Sequence, residues 1–429
     1  MTTDLRVLTP DDWDRWYKAF EHAFGGVTET AQERALWRDL TEFGRSLGVW
    51  DEDECVATAG AFRFGLTVPG GARVDAAGIT MVSVAPTYRR RGLLSAMMRR
   101  QLDDVRAWGE PLAILTASEP PIYGRFGYGA ATQELAAEID TARVRIAPPR
   151  RAVDADGVPR GGTGEGGAGA GRIRLRQVGA TDPAVRAACE EIYAAVVPER
   201  PGMIARTPGW ERLPVVNGER ERDGMSPVQC VLVERDGEVA GFTLYRVKPE
   251  WDRSGPKGTV ELRELYARDA EAYGELWRFL FGIDLTSTVR ARNRPVDDPF
   301  QHLVSDVRRC GLQVRDALYV RLVEVGAALE ARTYRTPVDV VLEVEDAFCP
   351  WNEGRWRLTG DAKGAACVRT ADQADLALSV RELAAAYLGG VSLTSLAGAG
   401  RVTELRPGAL AEASTAFSSD VAPWLPHGF

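Results

Sequence analysis

Three consecutive arginines followed by a glycine form the segment of this 429-residue chain whose residue types most clearly predict chemistry. The segment Arg89–Arg91 and Gly92 lies between an apolar run that stops at Pro86 and a stretch of helical spacing that starts at Leu93. A helix start presents unpaired N–H groups and the positive end of the helix dipole. Glycine lets the backbone approach a ligand closely, and arginines add charged donors. The pattern therefore predicts a pyrophosphate site, with a solvated basic turn as the alternative.

Tyr123 and Tyr128 are a second pair of candidates, because both lie in the glycine-rich string Ile122-Tyr-Gly-Arg-Phe-Gly-Tyr-Gly. A tyrosine with a pKa of about 10 keeps its proton at neutral pH and can act as a general acid, whereas a carboxylic acid with a pKa of about 4 is already ionised. Spacing alone does not choose between the two tyrosines, since either ring could instead pack beneath the turn.

The composition argues against several other classes of site. A formal net charge of −8 argues against a nucleic-acid partner, whose binding surface would be basic. The six cysteines show no CxxC spacing, and the histidines His22, His302 and His427 are few and far apart, so we expect reduced thiols and no metal. The first residues lack a signal-peptide pattern, and no run reaches the roughly 18 apolar residues of a membrane span. We therefore expect a cytoplasmic protein with no membrane span.

The predicted helices and strands that must position these residues fall into two regions, separated by one break, a stretch of different composition. Residues 148–171 are rich in glycine and proline and cannot bury apolar area, which predicts a linker. Its glycines resemble a phosphate loop, but no strand-like run leads into them. Before the break, the pattern predicts helices at Asp11–Phe24 (with Thr9 as N-cap), Gln32–Phe43 and Leu93–Trp108, and strands around Gly48–Trp50, Cys55–Phe64, Ile79–Val84 and Leu112–Ala117. This order is that of an α/β sandwich.

A similar order recurs after the break and predicts one architecture used twice. The predicted elements there are strand Arg172–Gln177, helix Ala184–Val197, a hairpin of Cys230–Val233 and Val239–Val247 turning at Asp236-Gly237, strand Val260–Tyr266 and helix Ala270–Phe281. A smaller α+β unit follows. Its predicted elements are a short helix at Gly326–Arg332, strands at Val338–Val344, Arg355–Leu358 and Leu376–Ser379, and helices at Val380–Leu388 and Ala409–Phe417.

The arginine segment and the tyrosine string together resemble one known family. Residues 89–94, Arg-Arg-Arg-Gly-Leu-Leu, resemble the acetyl-CoA signature of the GCN5-related N-acetyltransferases (GNAT), (Q/R)-x-x-G-x-(G/A), with Leu94 departing at the last position. The strings Val-Ala-Pro-Thr-x-Arg-Arg-Arg-Gly-Leu-Leu, from Val84, and Ala-Ser-Glu-x-x-Ile-Tyr-Gly-Arg-Phe-Gly-Tyr-Gly-x-Ala-Thr, from Ala117, resemble the enhanced intracellular survival (Eis) branch.

The resemblance implies a mixed α/β and α+β fold, with two tandem GNAT-fold domains followed by a domain similar to sterol carrier protein. The implied division is an N-terminal catalytic domain at 1–147, the linker at 148–171, a second GNAT-like domain at 172–312 and a C-terminal domain at 313–429. We expect the second GNAT-like domain to be degenerate, because Asp269 and Glu271 at its corresponding helix start would repel a pyrophosphate.

The resemblance also implies an acetyl-CoA-dependent N-acetyltransferase with Tyr123 as general acid and the carboxylate of Phe429 as general base. An α-carboxyl with a pKa of about 3.5 needs desolvation or a relaying water for that role. The apolar segment Val421–Phe429 contains two prolines, which predicts docking instead of fraying. The residues expected to bind the cofactor are Val82, Ser83 and Val84 through the strand backbone, Arg89, Arg90, Arg91, Gly92, Leu93, Leu94 and Ser95 at the pyrophosphate, and Ser118 and Glu119 beside it.

The implied acceptor carries primary amines, as an aminoglycoside, a polyamine or a lysine does. Phe24 and Trp37 are expected to line its pocket, with core packing as the alternative. Gly26 and Gly428 carry no charge, which argues against a pocket built for polycationic aminoglycosides. The resemblance further implies a homo-hexamer. A non-catalytic sensor of CoA ligands, or a carrier of apolar ligands in the C-terminal domain, is the competing hypothesis, and retention of Tyr123 argues against it.

Overall fold

The computed structural model describes residues 3–26, 29–147, 173–216 and 222–429, so the predicted linker lies outside the described residues. By contact, the chain divides into two compact units. The first unit contains Met1–Glu134, Val197–Gly209 and Arg315–Phe429, and the second contains Leu135–Val196 and Trp210–Val314. Because these units group contacting segments, they are a different division from the domains predicted from the sequence, whose boundaries stay predictions.

The chain up to residue 147 begins with amphipathic helices and continues as a strand meander. Helix α1 buries Trp13, Trp16 and Tyr17 at a spacing of three to four residues. It starts later than predicted because Pro10–Asp12 forms a 3-10 turn. Thr9 is the N-cap of that turn, as predicted, but its hydroxyl makes no cap bond and instead donates to the Asp12 carboxylate at 2.9 Å. The elements are α1 (Trp13–Ala23), α2 (Ala31–Leu40) and α3 (Leu93–Ala107), and β1 (Asp4–Val7), β2 (Leu47–Asp51), β3 (Glu54–Thr67), β4 (Arg73–Val84), β5 (Leu112–Thr116), β6 (Gly129–Ala130) and β7 (Gln133–Asp140).

The middle of the chain repeats this architecture. The predicted hairpin is confirmed, because Asp236 and Gly237 have φ values of +53° and +90°, which a tight turn between antiparallel strands requires. The elements are β8 (Ile173–Val178), α4 (Pro183–Val196), β9 (Ile204–Ala205), β10 (Gln229–Arg235), β11 (Glu238–Lys248), β12 (Trp251–Asp252), β13 (Gly255–Pro256), β14 (Gly258–Ala267), α5 (Ala270–Phe281), β15 (Thr286–Pro295), α6 (Phe300–Leu303) and β16 (Gln313–Asp316). Helix α5 has the predicted bounds.

The last part of the chain forms a separate five-stranded sheet of order β20-β19-β18-β21-β22 with short helices. Strand β21 and helix α10 have the predicted bounds, whereas the helix predicted at Val380–Leu388 ends at Ala386. The elements are β17 (Leu318–Leu322), α7 (Val325–Glu330), β18 (Val338–Glu345), β19 (Gly354–Asp361), β20 (Gly364–Arg369), β21 (Leu376–Ser379), α8 (Val380–Ala386), α9 (Leu393–Gly398), β22 (Val402–Glu404) and α10 (Ala409–Phe417).

Each compact unit contains one large mixed sheet. In the first unit the strand order is β1-β2-β3-β4-β5-β17-β6, with β9 paired to β3, and in the second it is β16-β7-β15-β14-β11-β10-β8. Each sheet has one parallel pair joined by a helix, β4–α3–β5 in one and β14–α5–β15 in the other. The core of the first unit packs the buried face of α3, including Met97, Met98 and Leu102, against the sheet.

Candidate active site

The arginine segment forms a turn between β4 and α3 in which two residues have a left-handed backbone. The φ angle is +63° at Arg90 and +83° at Gly92. A left-handed backbone is uncommon for residues with a Cβ, and strain of this kind is often found at functional turns. A Cβ at Gly92 would meet no atom within 4 Å, so the backbone angle, and not lack of space, favours glycine there.

The first turn of α3 has donors that the helix itself does not use. Gly92 occupies the N-cap position and has no side chain to cap the helix. The amide N–H of Ala96 donates to the Gly92 carbonyl at 3.0 Å. The N–H groups of Leu93–Ser95 come before it in the first turn, so no carbonyl of the helix is placed to accept from them. This turn therefore offers several N–H groups and the positive end of the helix dipole to an anion.

The three arginines differ in how they are held. Arg91 donates to the Thr87 carbonyl at 2.9 Å, and its guanidinium lies 4.6 Å from the centre of the Tyr88 ring. Arg89 and Arg90 are exposed, and neither forms an ion pair within the parts of the chain that the structure describes. Two guanidinium groups beside an open helix start favour an anion site over a merely solvated turn.

Strand β4 parts from its parallel neighbour before it reaches this turn. The pairing of β4 with β5 covers Ala76–Gly78, although β4 continues to Val84. A bulge against β3 accompanies this separation, with Met81 at a φ of +49°. Along the described chain, the edge of β4 that faces β5 therefore has no strand partner beyond Gly78, and its backbone groups are available to an extended ligand.

The Ser83 side chain is engaged with strand β3. It is buried, and its hydroxyl donates to the Thr58 hydroxyl at 2.7 Å, because the Thr58 proton is donated to the Met81 carbonyl at 2.6 Å. Val82 and Val84 are instead half-buried. The sequence predicted contact through the backbone of this strand, and the position of Ser83 leaves only its backbone for that contact.

Tyr123 and Tyr128 have clearly different environments. Their rings meet edge to face with centroids 6.0 Å apart, but Tyr128 is 0% exposed whereas Tyr123 is half-buried. The Tyr128 hydroxyl has no hydrogen-bond partner among the described residues. Burial raises the pKa of Tyr123 above its ordinary value, and the neighbouring Glu119 carboxylate raises it further. Tyr123 is therefore the tyrosine that keeps its proton and can still reach a ligand.

Phe429 is docked on strand β4. The Thr80 hydroxyl donates to the main-chain oxygen of Phe429 at 2.8 Å, and the Phe429 ring lies 5.0 Å from the ring of Phe64. Gly78 makes room for both rings, because a Cβ there would lie 2.5 Å from Phe64 and 3.1 Å from Phe429. The predicted docking of this segment is confirmed, whereas the role of its carboxylate stays a prediction.

The segment that leads to Phe429 is anchored by groups that the sequence analysis did not identify. Arg200 donates to the Ala422 carbonyl at 2.6 Å, and the amide of Trp424 donates to the Pro201 carbonyl at 2.8 Å. Trp424 and Leu425 are buried. The sequence holds no signal for these partners, because Arg200 lies 222 positions from Ala422, and Thr80 lies 349 positions from Phe429.

A row of aromatic rings connects Trp37 to Phe429. Trp37 stacks with Phe62 at 6.4 Å, Phe62 contacts Phe64 at 6.0 Å, and Phe64 contacts Phe429. Phe24 contacts Phe20 at 4.9 Å and is 53% exposed. The structure therefore links Trp37 to the docked segment, whereas Phe24 presents an exposed ring at the end of α1.

The predicted cofactor residues and Tyr123 divide into those that pack against the core and those that are exposed. Val82, Val84, Leu93, Leu94 and Tyr123 all pack against the buried cluster beneath the first sheet. Apart from the buried Ser83, the other predicted cofactor residues are exposed, with Ser95 in the first turn of α3 and Ser118 and Glu119 in the loop after β5. The structure thus gathers strand, arginine turn and Tyr123 around the same cluster.

The corresponding helix start in the second unit is filled by its own side chains. Asp269 caps α5 and accepts from the amides of Glu271 and Ala272 at 3.0 and 2.9 Å. Arg235 binds the Asp269 carboxylate at 2.8 Å and Glu271 at 3.0 Å. A carboxylate therefore occupies the donors that are open at Gly92 in the first unit.

The described residues contain no group of three or more His, Cys, Asp or Glu side chains that could hold a metal ion. All six cysteines are buried, and none of them forms a disulfide bond. None of the described helices is both long enough and apolar enough to cross a bilayer.

Comparison with known families divides the chain into three matched segments. The description "Acetyltransferase (GNAT) domain" applies to family models that match residues 4–131 and 202–322, and "Sterol carrier protein domain" to one that matches 325–426. The fold is therefore two GNAT domains followed by a sterol-carrier-protein-like domain, as expected.

Similar proteins match along their full length. An uncharacterized N-acetyltransferase of Streptomyces avermitilis is 65% identical over 429 residues, which covers 100% of both chains. N-acetyltransferase Eis of Mycobacterium tuberculosis is 34% identical over 442 positions and 98% of both chains. The crystal structure of Eis1 from Mycobacterium abscessus is similar with a TM-score of 0.79 and 33% identity, covering 100% of both chains.

Proposed function

Because this chain belongs to the Eis family of GCN5-related N-acetyltransferases, we propose that it transfers the acetyl group of acetyl-CoA to a primary amine by direct attack. The acceptor is a small molecule of aminoglycoside or polyamine type, or a lysine. The observation that carries the proposal is the open, arginine-flanked start of α3, which packs against the same core cluster as Tyr123.

The residues present fit acetyl-CoA. The pyrophosphate would be held by the side chains of Arg89–Arg91 and by the N–H groups from Gly92 to Ser95, which have no caps of their own. The unpaired edge of β4 at Val82–Val84 would bond the pantetheine amides, with Ser118 and Glu119 beside them. A backbone N–H near Val84 would stabilise the developing oxyanion.

Two groups of the chain move protons in this proposal. When bound, acetyl-CoA supplies an acetyl thioester. The Phe429 carboxylate accepts, directly or through a water, the proton that an ammonium acceptor must lose, and the half-buried apolar site beside Phe64 desolvates it. The Tyr123 hydroxyl supplies the proton that the departing sulfur needs, and its raised pKa keeps that proton in place until then.

The predicted acceptor pocket favours acceptors with some apolar surface. The half-buried Trp37 and the exposed Phe24 can offer such surface, whereas Phe62 and Phe64 are buried and Gly26 and Gly428 contribute no charge. A polycation would gain less here than in an acidic pocket, so we place aminoglycosides behind simpler amines. We also propose, from the family, a cytoplasmic homo-hexamer.

The test is a thiol-release assay with acetyl-CoA and a panel of polyamines, aminoglycosides and lysine peptides. We expect acceptor-dependent thiol release, with the acetylated nitrogen identified by mass spectrometry. Tight CoA binding with no release from any amine would contradict the proposal and favour a sensor or carrier of ligands.

A further inference from the structure

Arg206, His427 and the Gly428 carbonyl form a series of hydrogen bonds, here called the relay, that ends next to Phe429. The Nε of Arg206 lies 3.1 Å from Nε2 of His427, and Nδ1 of His427 lies 3.0 Å from the Gly428 carbonyl oxygen. A guanidinium has only donors, so Nε2 must accept from Arg206. The ring proton is then on Nδ1, which donates to the Gly428 carbonyl. The contacts therefore select one neutral tautomer of His427.

Arg206 is itself fixed on the sheet that carries the site. It directly follows β9, whose residues Ile204 and Ala205 pair with Leu66 and Gly65 of β3. The same strand β3 carries Phe64, against which the Phe429 ring packs. Strand β3 therefore positions both Arg206, through β9, and the ring of Phe64 that contacts Phe429.

The relay restrains Gly428, whose backbone is otherwise held by little packing. Gly428 is exposed, and a Cβ built on it would meet nothing within 4 Å, so packing does not restrain its peptide. Glycine also has the widest choice of backbone angles. The bond from His427 to its carbonyl fixes the peptide plane that directly precedes Phe429.

The charge state of His427 is consistent with this arrangement. Burial lowers the pKa of His427 to about 3, with the nearby Arg206 guanidinium acting in the same direction. The ring therefore stays neutral through the ordinary pH range, and its Nε2 remains able to accept from Arg206.

We propose that Arg206 and His427 are positioning residues, which orient the Gly428 peptide so that the Phe429 carboxylate is held at Thr80 on β4. This inference rests on the proposed function, in which that carboxylate is the base. The relay does not touch the acceptor; it determines where the base lies.

The kinetic test compares variants that remove each donor with variants that retain it. His427→Leu and Arg206→Leu should lower kcat about tenfold or more while the KM for acetyl-CoA changes less than twofold. His427→Asn, whose amide can still donate to the Gly428 carbonyl, should recover most of kcat, and Arg206→Lys should recover part. His302→Leu, at an exposed histidine of the second unit, is the matched control and should leave kcat unchanged.

A spectroscopic test does not depend on activity. Long-range 1H–15N spectra of the protein labelled at its three histidines should show one neutral ring protonated at Nδ1 and absent from His427→Asn. An Nε2-protonated or charged His427 at pH 7 would overturn the inference.

The proposed function can fail separately from this inference. One alanine added after Phe429 displaces the carboxylate and should abolish turnover. Full kcat in that protein would remove the carboxylate from the mechanism. Loss of kcat there, combined with normal kcat in His427→Leu and Arg206→Leu, would keep the base and overturn the relay.

Discussion

The hydroxyl of Thr80 and the main-chain oxygen of Phe429 are joined by a 2.8 Å hydrogen bond, although the two residues lie 349 positions apart. Thr80 is on the same strand that continues to Val84 and the arginine turn. The last residue of the chain is thereby fixed to the strand that we propose binds the pantetheine.

Thr80→Val tests this bond because it keeps the shape of the side chain and removes its donor. A hydrogen bond to a charged group contributes about 1.5–3 kcal/mol, so we expect kcat to fall about tenfold or more. The KM for acetyl-CoA should hardly change. Thr80→Ser keeps the hydroxyl and is the control; equal kcat in the valine and serine variants would show that the bond has no catalytic role.

Reversing the charges of Arg90 and Arg91 tests the pyrophosphate site. Arg90→Glu with Arg91→Glu replaces charged donors by carboxylates, so the dissociation constant of CoA, measured by calorimetry, should rise about 100-fold. Arg100→Glu reverses one charge within α3, away from the arginine turn, where the arginine is paired with Asp104 at 2.9 Å. That control should change CoA affinity less than threefold. CoA affinity of the double variant equal to that of the parent would rule out this site.

Tyr123→Phe and Tyr128→Phe form a matched pair. Losing a general acid costs about 100-fold or more, so Tyr123→Phe should lose that much kcat while retaining CoA affinity. Tyr128→Phe removes a buried hydroxyl without a described partner, so kcat should hold and the melting temperature should stay or rise. Because the pKa of Tyr123 is raised, kcat of the parent should not decline on the alkaline side until above pH 10. The opposite ranking of the two variants would transfer the role to Tyr128.

Asp269→Ala tests the capped helix of the second unit. Removing an N-cap carboxylate costs about 1 kcal/mol of stability, which chemical denaturation can measure. Asp269→Asn retains a capping oxygen and should lose less. Acetyl transfer should persist in both variants, and a large loss of CoA affinity in Asp269→Ala would contradict our view that this helix start binds no cofactor.

The docking of the C-terminal segment should weaken in mild acid. The pKa of His427 is about 3 in the docked state and about 6.5 when the segment is released, so only the released state takes up a proton in between. Docking stability is therefore fully present above pH 6.5 and falls as pH is lowered toward 3. The melting-temperature difference between the parent and His427→Asn should shrink from pH 7 to pH 5, and a constant difference would contradict the assignment.

Local patterns predicted the helices and turns well, because their causes lie within a few residues. The Asp236-Gly237 hairpin and helix α5 are examples. The arginine turn was also predictable, since strand, glycine and helix are contiguous. The left-handed Met81 in the bulge of β4 was not, because it reflects pairing with β3 and carries no mark in its residue type.

Contacts between distant segments were beyond the sequence. Docking of the last residues followed from their apolar composition, but Thr80, Arg200 and Arg206 became visible as partners only in three dimensions. The roles of Tyr123 and Phe429 came from family resemblance. The structure adds that Tyr123 is accessible where Tyr128 is sealed.

Strand β17 lies between β5 and β6 and pairs with both, although about 200 residues of chain separate it from them. During synthesis, β6 therefore has no neighbour to join until Leu322 has left the ribosome, long after the arginine turn has emerged. A fragment that stops at residue 147 would leave unpaired the edges of β5 and β6 that β17 covers and both edges of β7, which otherwise pair with β16 and β15. We expect such a fragment to aggregate when produced alone.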